Sequence, residues 1–441
     1  MAKKKSHSIH SNETLLKRKF RKVDPSTIIQ EINMQYGDSG PIIRAANEAW
    51  DASDLRRPCG ITSLDLATGG GLVAGRVHQY DGLNSTGKNY LLYKYFAETQ
   101  RLYKEDACLA MCCFESFVDK HFAQMCGCKI AMSKYDVEVT NIARAARKEP
   151  PLTEEEEKEA LECPGVGQFH IFKGPAEKVL EGVVHAVKSN IYQIIGIDSW
   201  DSMLTMPEES TVLGDTPQIA SSATLQTKWA KKIEDAFNPK FRCPNCGYFP
   251  LKKKVTSYKL LKFKYECPEP DCNWKGINPY TEINETTIYC INQVRSKIQM
   301  SGGRVMGRPY KTSGANALQH LNAIRVSLHP GTALRDGKTK IGKEINWEIT
   351  KAKTGAKEGT IGSFILYFNP LEVDVTNDLM NQCLVNRIII QEEGGYYSIP
   401  DMQERIHGKD NVLDLLDDIE VRDELRKLLY IKLDLAHIRF T

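Results

Sequence analysis

The chain has 441 residues, enough for two or three domains and one large core. It is 41% hydrophobic and 26% charged, which is typical of globular proteins, and no run of about 18 apolar residues predicts a transmembrane span. The net charge is +3, and the charge is unevenly distributed along the chain. Residues 1–22 hold eight Lys or Arg and a single acid, Glu13. That stretch lacks the apolar segment of a secretory signal, so it is either a solvated arm or a weak nucleic-acid contact. The thirteen cysteines indicate a reducing cytoplasm.

Apolar periodicity predicts strands that alternate with helices. Ser26 can cap a helix over 26–36. Further on, strands are predicted within 75–82, 107–115, 167–174, 192–200 and 286–293, and helices within 90–105, 118–127, 176–189 and 221–237. A hairpin is predicted over 387–399 and helical structure over 412–429. This alternation predicts an α/β fold with a mostly parallel sheet and helices on both faces.

Two segments interrupt the alternation. Residues 147–163 hold seven acids and three bases, whereas residues 238–280 hold nine bases, three acids and four paired cysteines. We therefore predict a basic arm and N-terminal helix over 1–48, a core over 49–374 and a small C-terminal α/β domain over 375–441. The core would carry an acidic insert at about 131–165 and a cysteine insert at about 238–283. Both inserts connect a helix to the next strand, at the edge opposite the carboxyl ends of parallel strands.

The segment DGLNSTGKNY, residues 81–90, is close to a phosphate-binding loop. It fits G-x-x-x-x-G-K-[ST] up to Lys88 and joins a predicted strand to a predicted helix. Its backbone N–H groups would bind phosphate, and Lys88 would reach the β and γ phosphates. Asn89 stands where a Ser or Thr would hold Mg²⁺, and its amide oxygen could hold the ion directly or through water. The predicted ATP-binding residues of this loop are Gly82, Leu83, Asn84, Ser85, Thr86, Gly87, Lys88, Asn89 and Tyr90. A glycine-rich turn, the alternative, does not explain Gly-Lys at the start of a helix.

Two carboxylates follow apolar strands. Asp198 ends IIGID and is expected to hold Mg²⁺ with Asn89, in the manner of a Walker B strand. Glu115 ends the apolar run 107–114 and could orient or deprotonate an attacking water. From the pattern alone, a surface acid at a strand end explains Glu115 equally well.

The cysteine insert has metal-ligand spacing. Cys243 and Cys246 form C-x₂-C, Cys267 and Cys272 form C-x₄-C, and twenty residues separate the pairs. Four thiolates suit tetrahedral Zn²⁺ and close its coordination, so the predicted site is structural. Four free thiols, the alternative, would leave the two Cys-Pro turns unexplained, and an insert of this size often needs a metal to fold.

The segment 292–318 is rich in glycine and basic residues and begins at a predicted strand end. It could follow a phosphate backbone and insert apolar side chains between bases. An ordinary surface loop is the alternative. The candidate DNA-binding residues are Arg295, Lys297, Arg304, Met306, Arg308, Lys311, Gly314 and Asn316.

Together these segments resemble the RecA family of strand-exchange recombinases, including its phage members, discontinuously from about residue 26 to 430. The segments that carry the resemblance are ITSLDLATGGGLVAGRVHQYDGLNSTGK, FESFVDKHFA, IGIDS, MPEESTVLGD, INQVRSKI…TSGANAL, KAKTGAKEG and EEGGYYSI. The resemblance implies a RecA-type P-loop ATPase core with an N-terminal oligomerisation helix, an inserted zinc ribbon and a small C-terminal domain.

The resemblance also implies residue roles. Glu115 would be the catalytic glutamate acting with Lys88, and Gln293 would sense the γ-phosphate. The other implied roles are adenine contact by Asp119, Phe122 and Tyr367, contact with the ATP of a neighbouring subunit by Lys351 and Lys353, and DNA binding by segments 206–215 and 293–316.

The implied activity is that of a DNA-dependent ATPase. With ATP and Mg²⁺ as cofactors, it would form a helical filament on single-stranded DNA, joined through the helix at 26–36, and pair that strand with double-stranded DNA. The departures are Asn89, which predicts slower hydrolysis, and the two inserts, which are expected away from the DNA axis. Single-strand-binding or mediator proteins could bind the inserts.

Two alternative functions stay open. A weakly hydrolysing, ATP-switched recombination mediator would explain Asn89. A helicase with the same core is disfavoured by the long segment ending in TSGANAL. The expected location is cytoplasmic, in a bacterium or in a phage host, without a membrane partner.

Overall fold

The computed structural model describes residues 25–38, 41–42, 52–115, 118–211, 221–260, 262–296, 310–312, 316–400, 402 and 404–441. At Pro25, 295–296, 310–312 and 316–317 it describes the backbone alone. The chain divides into two compact units. Residues 1–50 and 239–283 form one, here called the cysteine unit, and residues 51–238 and 284–441 form the other, here called the core unit. The predicted boundaries at 48 and 374 stay predictions.

The described residues form thirteen α-helices and twenty strands. The helices are α1 (Pro25–Tyr36), α2 (Thr62–Ala67), α3 (Lys88–Tyr103), α4 (Lys120–Met125), α5 (Lys134–Ala146), α6 (Glu154–Glu162), α7 (Ala176–Ser189), α8 (Met206–Ser210), α9 (Ser221–Ala236), α10 (Asn316–Leu321), α11 (Val375–Val385), α12 (Lys409–Leu415) and α13 (Ile419–Lys432). The strands are β1 (Arg56–Arg57), β2 (Leu72–Val73), β3 (Val77–Gly82), β4 (Cys108–Cys113), β5 (Gln168–Phe172), β6 (Ile194–Asp198), β7 (Lys240–Arg242), β8 (Lys252–Ser257), β9 (Lys262–Glu266), β10 (Lys275–Gly276), β11 (Tyr280–Glu282), β12 (Thr287–Ser296), β13 (Tyr310–Thr312), β14 (Ile324–Asp336), β15 (Thr339–Ala352), β16 (Ile361–Phe368), β17 (Leu371–Val373), β18 (Ile390–Gln391), β19 (Tyr396–Ser398) and β20 (Ile406–His407).

Each helix and strand predicted from periodicity is present, with its ends displaced by a few residues. The helical segment 412–429 is interrupted, because α12 ends at Leu415 and α13 begins at Ile419. Asp418 caps α13 by accepting a hydrogen bond from the backbone of Glu420, and such a cap marks a new helix start.

The core unit is built on one ten-stranded sheet. Nine strands follow the order β17-β16-β15-β14-β3-β12-β6-β4-β5, and β13 pairs with β12. From β14 to β5 the neighbours are parallel, whereas β15, β16 and β17 extend the sheet antiparallel to one another. The α/β fold with a mostly parallel sheet is confirmed. Because β3, β4, β6 and β12 are parallel, the loops that follow them meet at one edge.

Alternate side chains of β12 pack into the hydrophobic clusters on the two opposite faces of this sheet. Tyr289 and Ile291 lie in the hydrophobic cluster that includes α3, whereas Ile288 and Cys290 lie in the cluster that includes α7 and α9. A strand covered on both faces needs such a continuous apolar run. Residues 375–441 contribute a third cluster, which includes Leu379, Met380 and Leu429.

The acidic insert is a pair of helices, α5 and α6, between α4 and the amino end of β5. Both begin with capping boxes, at Ser133 and Thr153. Asn141 joins them by donating a hydrogen bond to Glu157 over 3.0 Å. The negative composition at 147–163 marked the insert, but it did not predict these helices.

The cysteine unit contains α1 and the five strands from β7 to β11. Strands β8, β9 and β10 form one antiparallel sheet, and β7 pairs with β11. Along the chain, the insert lies between α9 and β12.

Candidate ATP site and cysteine cluster

The predicted phosphate-binding loop joins β3 to α3 in the core unit. Gly87 precedes the helix with a φ of 88°, and a Cβ there would lie 2.7 Å from Cδ1 of Ile345. This left-handed conformation favours glycine, and the Ile345 side chain would have to shift to admit a Cβ. The ammonium of Lys88 donates hydrogen bonds to the carbonyls of Gly82 (2.9 Å) and Leu83 (2.7 Å). Burial lowers the pKa of Lys88, an effect that Asp198 opposes.

Asp198 ends β6 beside this loop. Its carboxylate is 7% exposed and accepts a 2.7 Å hydrogen bond from Nδ2 of Asn89. Burial raises the pKa of Asp198 to about 6, and Asn89 and Lys88 only partly oppose that rise. The carbonyl of Asp198 accepts hydrogen bonds from the backbone of Phe114 and Glu115, over 2.8 and 3.3 Å. The ladder between β4 and β6 thus fixes Glu115 next to Asp198.

Glu115 and Gln293 meet although β6 lies between their strands. Nε2 of Gln293 donates to Oε2 of Glu115 over 3.3 Å, and Ser199 Oγ donates to the same oxygen over 3.1 Å. Glu115 is exposed, so it is open to solvent while these donors orient it. A carboxylate held in this way beside a phosphate loop can align a water molecule.

A cavity of about 430 Å³ opens beside the loop. Its lining residues are Ser85, Thr86, Gly87, Lys88, Asn89, Tyr90, Phe122, Lys343, Leu366, Phe368 and Leu371. The loop forms one wall, and apolar side chains from β16 and its surroundings form the other. Such a cavity suits an anionic ligand with an apolar ring.

Phe122, one of the three predicted adenine neighbours, lies in this cavity. Asp119 does not line it, and instead caps α4 by accepting a 3.1 Å hydrogen bond from the backbone of Phe122. Tyr367 does not line it either, since its neighbours Leu366 and Phe368 do and successive strand residues face opposite ways. The adenine roles of these residues stay predictions.

Lys343 is a cavity residue that sequence reasoning missed. Its ammonium donates to the carbonyl of Ser85 and lies 5.9 Å from the ring centroid of Phe368. Burial lowers its pKa, because desolvation penalises the charged form. Lys343 reaches the loop through the antiparallel pairing of β14 with β15, and no motif in the sequence signals that pairing.

Comparisons with known proteins bear on the family. Residues 275–370, which include β12, β14, β15 and β16, match the family model of the RecA N-terminal domain. A protein named RecA from Petrotoga mobilis is 24% identical over 90% of this chain and 81% of its own length. RecA of Citrifermentans bemidjiense is 23% identical over 91% of this chain and 92% of its own, and RecA of Methylococcus capsulatus is 25% identical over 87% and 84%. Over most of its length the chain is therefore similar to proteins named RecA, at 23–25% identity.

The two lysines expected to contact a neighbouring subunit lie together near the end of α10. The ammonium of Lys351 donates to the carbonyls of Gln319 and His320, and that of Lys353 donates to the carbonyl of His320 over 2.5 Å. Burial lowers the pKa of Lys351 to about 8, and the positive charges of Lys353 and Arg325 add to this effect. Neither lysine lines the cavity beside the phosphate loop.

Most of the predicted DNA-binding residues lie outside the described residues: Lys297, Arg304, Met306, Arg308 and Gly314. For Arg295, Lys311 and Asn316 the backbone alone is described. Strand β13 pairs antiparallel with the end of β12, so Ser296 and Tyr310 are partners. The two residues that flank segment 297–309 are therefore paired near the carboxyl end of β12. In the other predicted DNA segment, residues 206–210 form α8, and residues 212–215 lie outside the described part.

The four predicted metal ligands come together in the cysteine unit. Four Sγ atoms all lie within 4.8 Å of one another, those of Cys243, Cys246, Cys267 and Cys272. The Sγ atoms of Cys243 and Cys272 are 3.5 Å apart, as are those of Cys246 and Cys267. A tetrahedron with Zn–S bonds of about 2.3 Å would separate its sulfurs by roughly 3.8 Å, so the donor set and spacing fit Zn²⁺.

Among the described residues, every helix falls short of the length and apolar character needed to cross a membrane.

Proposed function

We propose that the chain is an ATP-dependent recombinase that assembles on single-stranded DNA and promotes homologous pairing and strand exchange. The contact between Gln293 and Glu115 carries this proposal. It joins the strand that leads into the predicted DNA segment to the carboxylate expected to activate water. A simple ATP-binding protein would not need that connection.

The cofactors would be ATP and Mg²⁺. Bound Mg-ATP would supply the phosphoryl group whose hydrolysis ends each cycle of DNA binding. The loop from Gly82 to Lys88 would bind the phosphates through its N–H groups. Lys88 would exchange its two loop carbonyls for phosphate oxygens, and Asp198 would hold the metal. The apolar wall that includes Phe122, Leu366 and Phe368 would accept the base.

Glu115 would hold the attacking water and accept its proton, with Ser199 orienting the carboxylate. Movement of Gln293 away from Glu115 would free the carboxylate for that role. Because Gln293 lies on β12, such a movement would couple the state of the bound nucleotide to the predicted DNA-binding segment that follows this strand. Lys351 and Lys353 would complete the site of an adjacent subunit in the filament.

The test is ATP hydrolysis with and without single-stranded DNA. We expect DNA to stimulate hydrolysis by the natural protein and Glu115→Gln to abolish turnover while ATP binding persists. Absence of turnover from the natural protein at saturating DNA and Mg²⁺ would contradict the enzyme proposal.

An ATP-switched mediator is the second candidate, and the hydrogen bond between Asn89 and Asp198 favours it. In this structure the amide nitrogen of Asn89 donates a hydrogen bond to the carboxylate that is expected to hold Mg²⁺. Negligible hydrolysis that Asn89→Thr restores would identify the natural protein as such a switch.

We also propose that the four cysteines bind one structural Zn²⁺. Their thiolates would close the coordination of the metal and hold the two Cys-Pro turns together. Metal analysis of the protein purified without added zinc should give one zinc per chain. Cys246→Ser should lower that content, whereas Cys383→Ser, which removes a buried thiol of the core unit, should leave it unchanged.

A further inference from the structure

The N-terminal helix and the cysteine insert form one compact unit, although about 200 residues separate them along the chain. Helix α1 has twelve residues, a length at which an isolated helix is marginal in water. Its stability must therefore come largely from what it contacts.

Lys253 provides one of these contacts. Side chains alternate along β8, so that Lys253 faces the interior of the unit and is 8% exposed, whereas Lys254 faces outward and is 64% exposed. The ammonium of Lys253 donates to the carbonyl of Met34 over 2.7 Å and pairs with Asp38 over 2.8 Å. Met34 is in the last turn of α1, where carbonyls lack a partner within the helix and a cation is favourable.

Tyr265 provides the other contact, from the neighbouring strand. It pairs with Lys253 across β8 and β9 and is fully buried. Its hydroxyl donates to the carbonyl of Gly37 over 3.0 Å, immediately after α1. The two side chains therefore hold successive parts of the C-terminal end of the helix.

The surface that carries these side chains depends on the cysteines. The hydrophobic cluster of the insert contains three buried residues, Cys243, Leu251 and Tyr265, and Cys267 and Cys272 pack against it. A cluster of this size does not support a fold alone, so small modules of this kind use metal binding for folding. Tyr265 is also only two residues from Cys267.

We propose that the metal bound by the four cysteines controls self-assembly of the chain by holding α1 in place. With metal bound, Lys253 and Tyr265 fix the end of α1 and present the helix to a neighbouring copy. Without it, the β8–β9 surface loosens and α1 is released. The cysteine insert is then a regulator of assembly, a role distinct from ATP binding and DNA binding. This inference rests on the proposed filament, in which α1 joins adjacent subunits.

The first measurement is hydrogen exchange of residues 25–38 in the full-length protein. A zinc-selective chelator, with Mg²⁺ kept in excess, should raise exchange in this segment by about tenfold, and added zinc should reverse the change. Tyr265→Phe removes one hydrogen bond from the metal-loaded protein and should raise exchange by about fivefold. Lys253→Met should raise it by about tenfold, because it removes a charge-assisted contact.

Lys252→Met is the matched control. It removes the same charge from the adjacent residue of β8, whose side chain is exposed on the opposite face. It should leave exchange of residues 25–38 unchanged. Equal effects of Lys252→Met and Lys253→Met, or unchanged exchange after complete loss of metal, would overturn the anchoring role.

The second measurement is sedimentation of assemblies with ATP and single-stranded DNA. Chelation, Lys253→Met and Tyr265→Phe should each raise the protein concentration needed for assembly, and Lys252→Met should not. Unchanged assembly in the first three would overturn control by the metal. If the natural, metal-loaded protein failed to assemble, the filament proposal would fail instead, and the exchange experiment would still decide whether the metal anchors α1.

Discussion

Asn89 donates a hydrogen bond from its side-chain amide nitrogen to Oδ2 of Asp198 over 2.7 Å. An amide nitrogen cannot ligate a cation, so Mg²⁺ can reach both side chains only if the Asn89 amide turns its oxygen inward. A Ser or Thr hydroxyl would need no such turn, because one oxygen both donates and accepts. We therefore expect the departure from the loop motif to affect metal binding more than phosphate binding.

The first prediction concerns this departure. Asn89→Thr should lower the Mg²⁺ concentration for half-maximal ATP hydrolysis and raise the rate by about tenfold, since the hydroxyl oxygen is ready to coordinate the ion. Asn411→Thr is the control, because it makes the same change at an exposed position that does not line the cavity beside the loop. If both variants behaved alike, Asn89 would not be a metal-site residue.

The second prediction concerns Gln293. Gln293→Ala should abolish stimulation of hydrolysis by single-stranded DNA while ATP binding is retained, because it removes the donor that joins β12 to Glu115. Nucleotide binding measured by fluorescence and steady-state hydrolysis with and without DNA would check this. DNA stimulation equal to that of the natural protein would show that the link between Gln293 and Glu115 carries no signal.

The third prediction follows from the pKa of Asp198. Burial raises it to about 6 in the folded chain from 3.8, so the folded state binds a proton more tightly than the unfolded state. That contribution to stability is fully present below about pH 4 and is lost as pH rises through 6. As pH rises from about 4 to above 6, the unfolding free energy of the natural protein should therefore fall by roughly 3 kcal/mol relative to that of Asp198→Asn.

Thermal or denaturant unfolding of both proteins between pH 4 and 7.5 measures this difference. Mg-ATP added at pH 7.5 should stabilise the natural protein more than the variant, because the metal neutralises the buried carboxylate. A pH-independent difference between the two proteins would contradict the raised pKa.

The fourth prediction concerns Lys351, whose pKa burial lowers to about 8. The side chain is charged below that pH and loses its charge as pH rises through it. If Lys351 contacts the ATP of an adjacent subunit, DNA-stimulated hydrolysis should decline above about pH 8. Lys351→Arg keeps its charge and should move that decline to higher pH. An unchanged pH profile in the Arg variant would exclude Lys351 as its source.

Several site features were predictable from sequence because they depend on local spacing. The phosphate-binding loop, the acid at the end of β6 and the two cysteine pairs each lie within about ten residues. Over that distance, motif and secondary structure together restrict where side chains can go. The parallel direction of the central strands was also predictable, since strands alternate with helices along the chain.

The tertiary structure decided contacts between distant segments. The sequence pattern did not distinguish a catalytic role for Glu115 from that of a surface acid. Only the order of strands in the sheet places Gln293 next to Glu115. The register of β15 and β16 selects Lys343, Leu366 and Phe368 as cavity residues and turns Tyr367 the other way. Likewise, no sequence motif indicates that α1 packs with the cysteine insert in one compact unit.

Sequence by itself therefore determined the helices and strands with clear periodicity and the short motifs, because backbone geometry translates residue spacing directly into local structure. It did not determine which strand faces pair across the sheet, nor that Lys253 and Tyr265 hold the end of α1. A shift of one residue in strand register reverses every side chain, and that register is set by packing among segments far apart in the chain. Only the folded structure supplies that information.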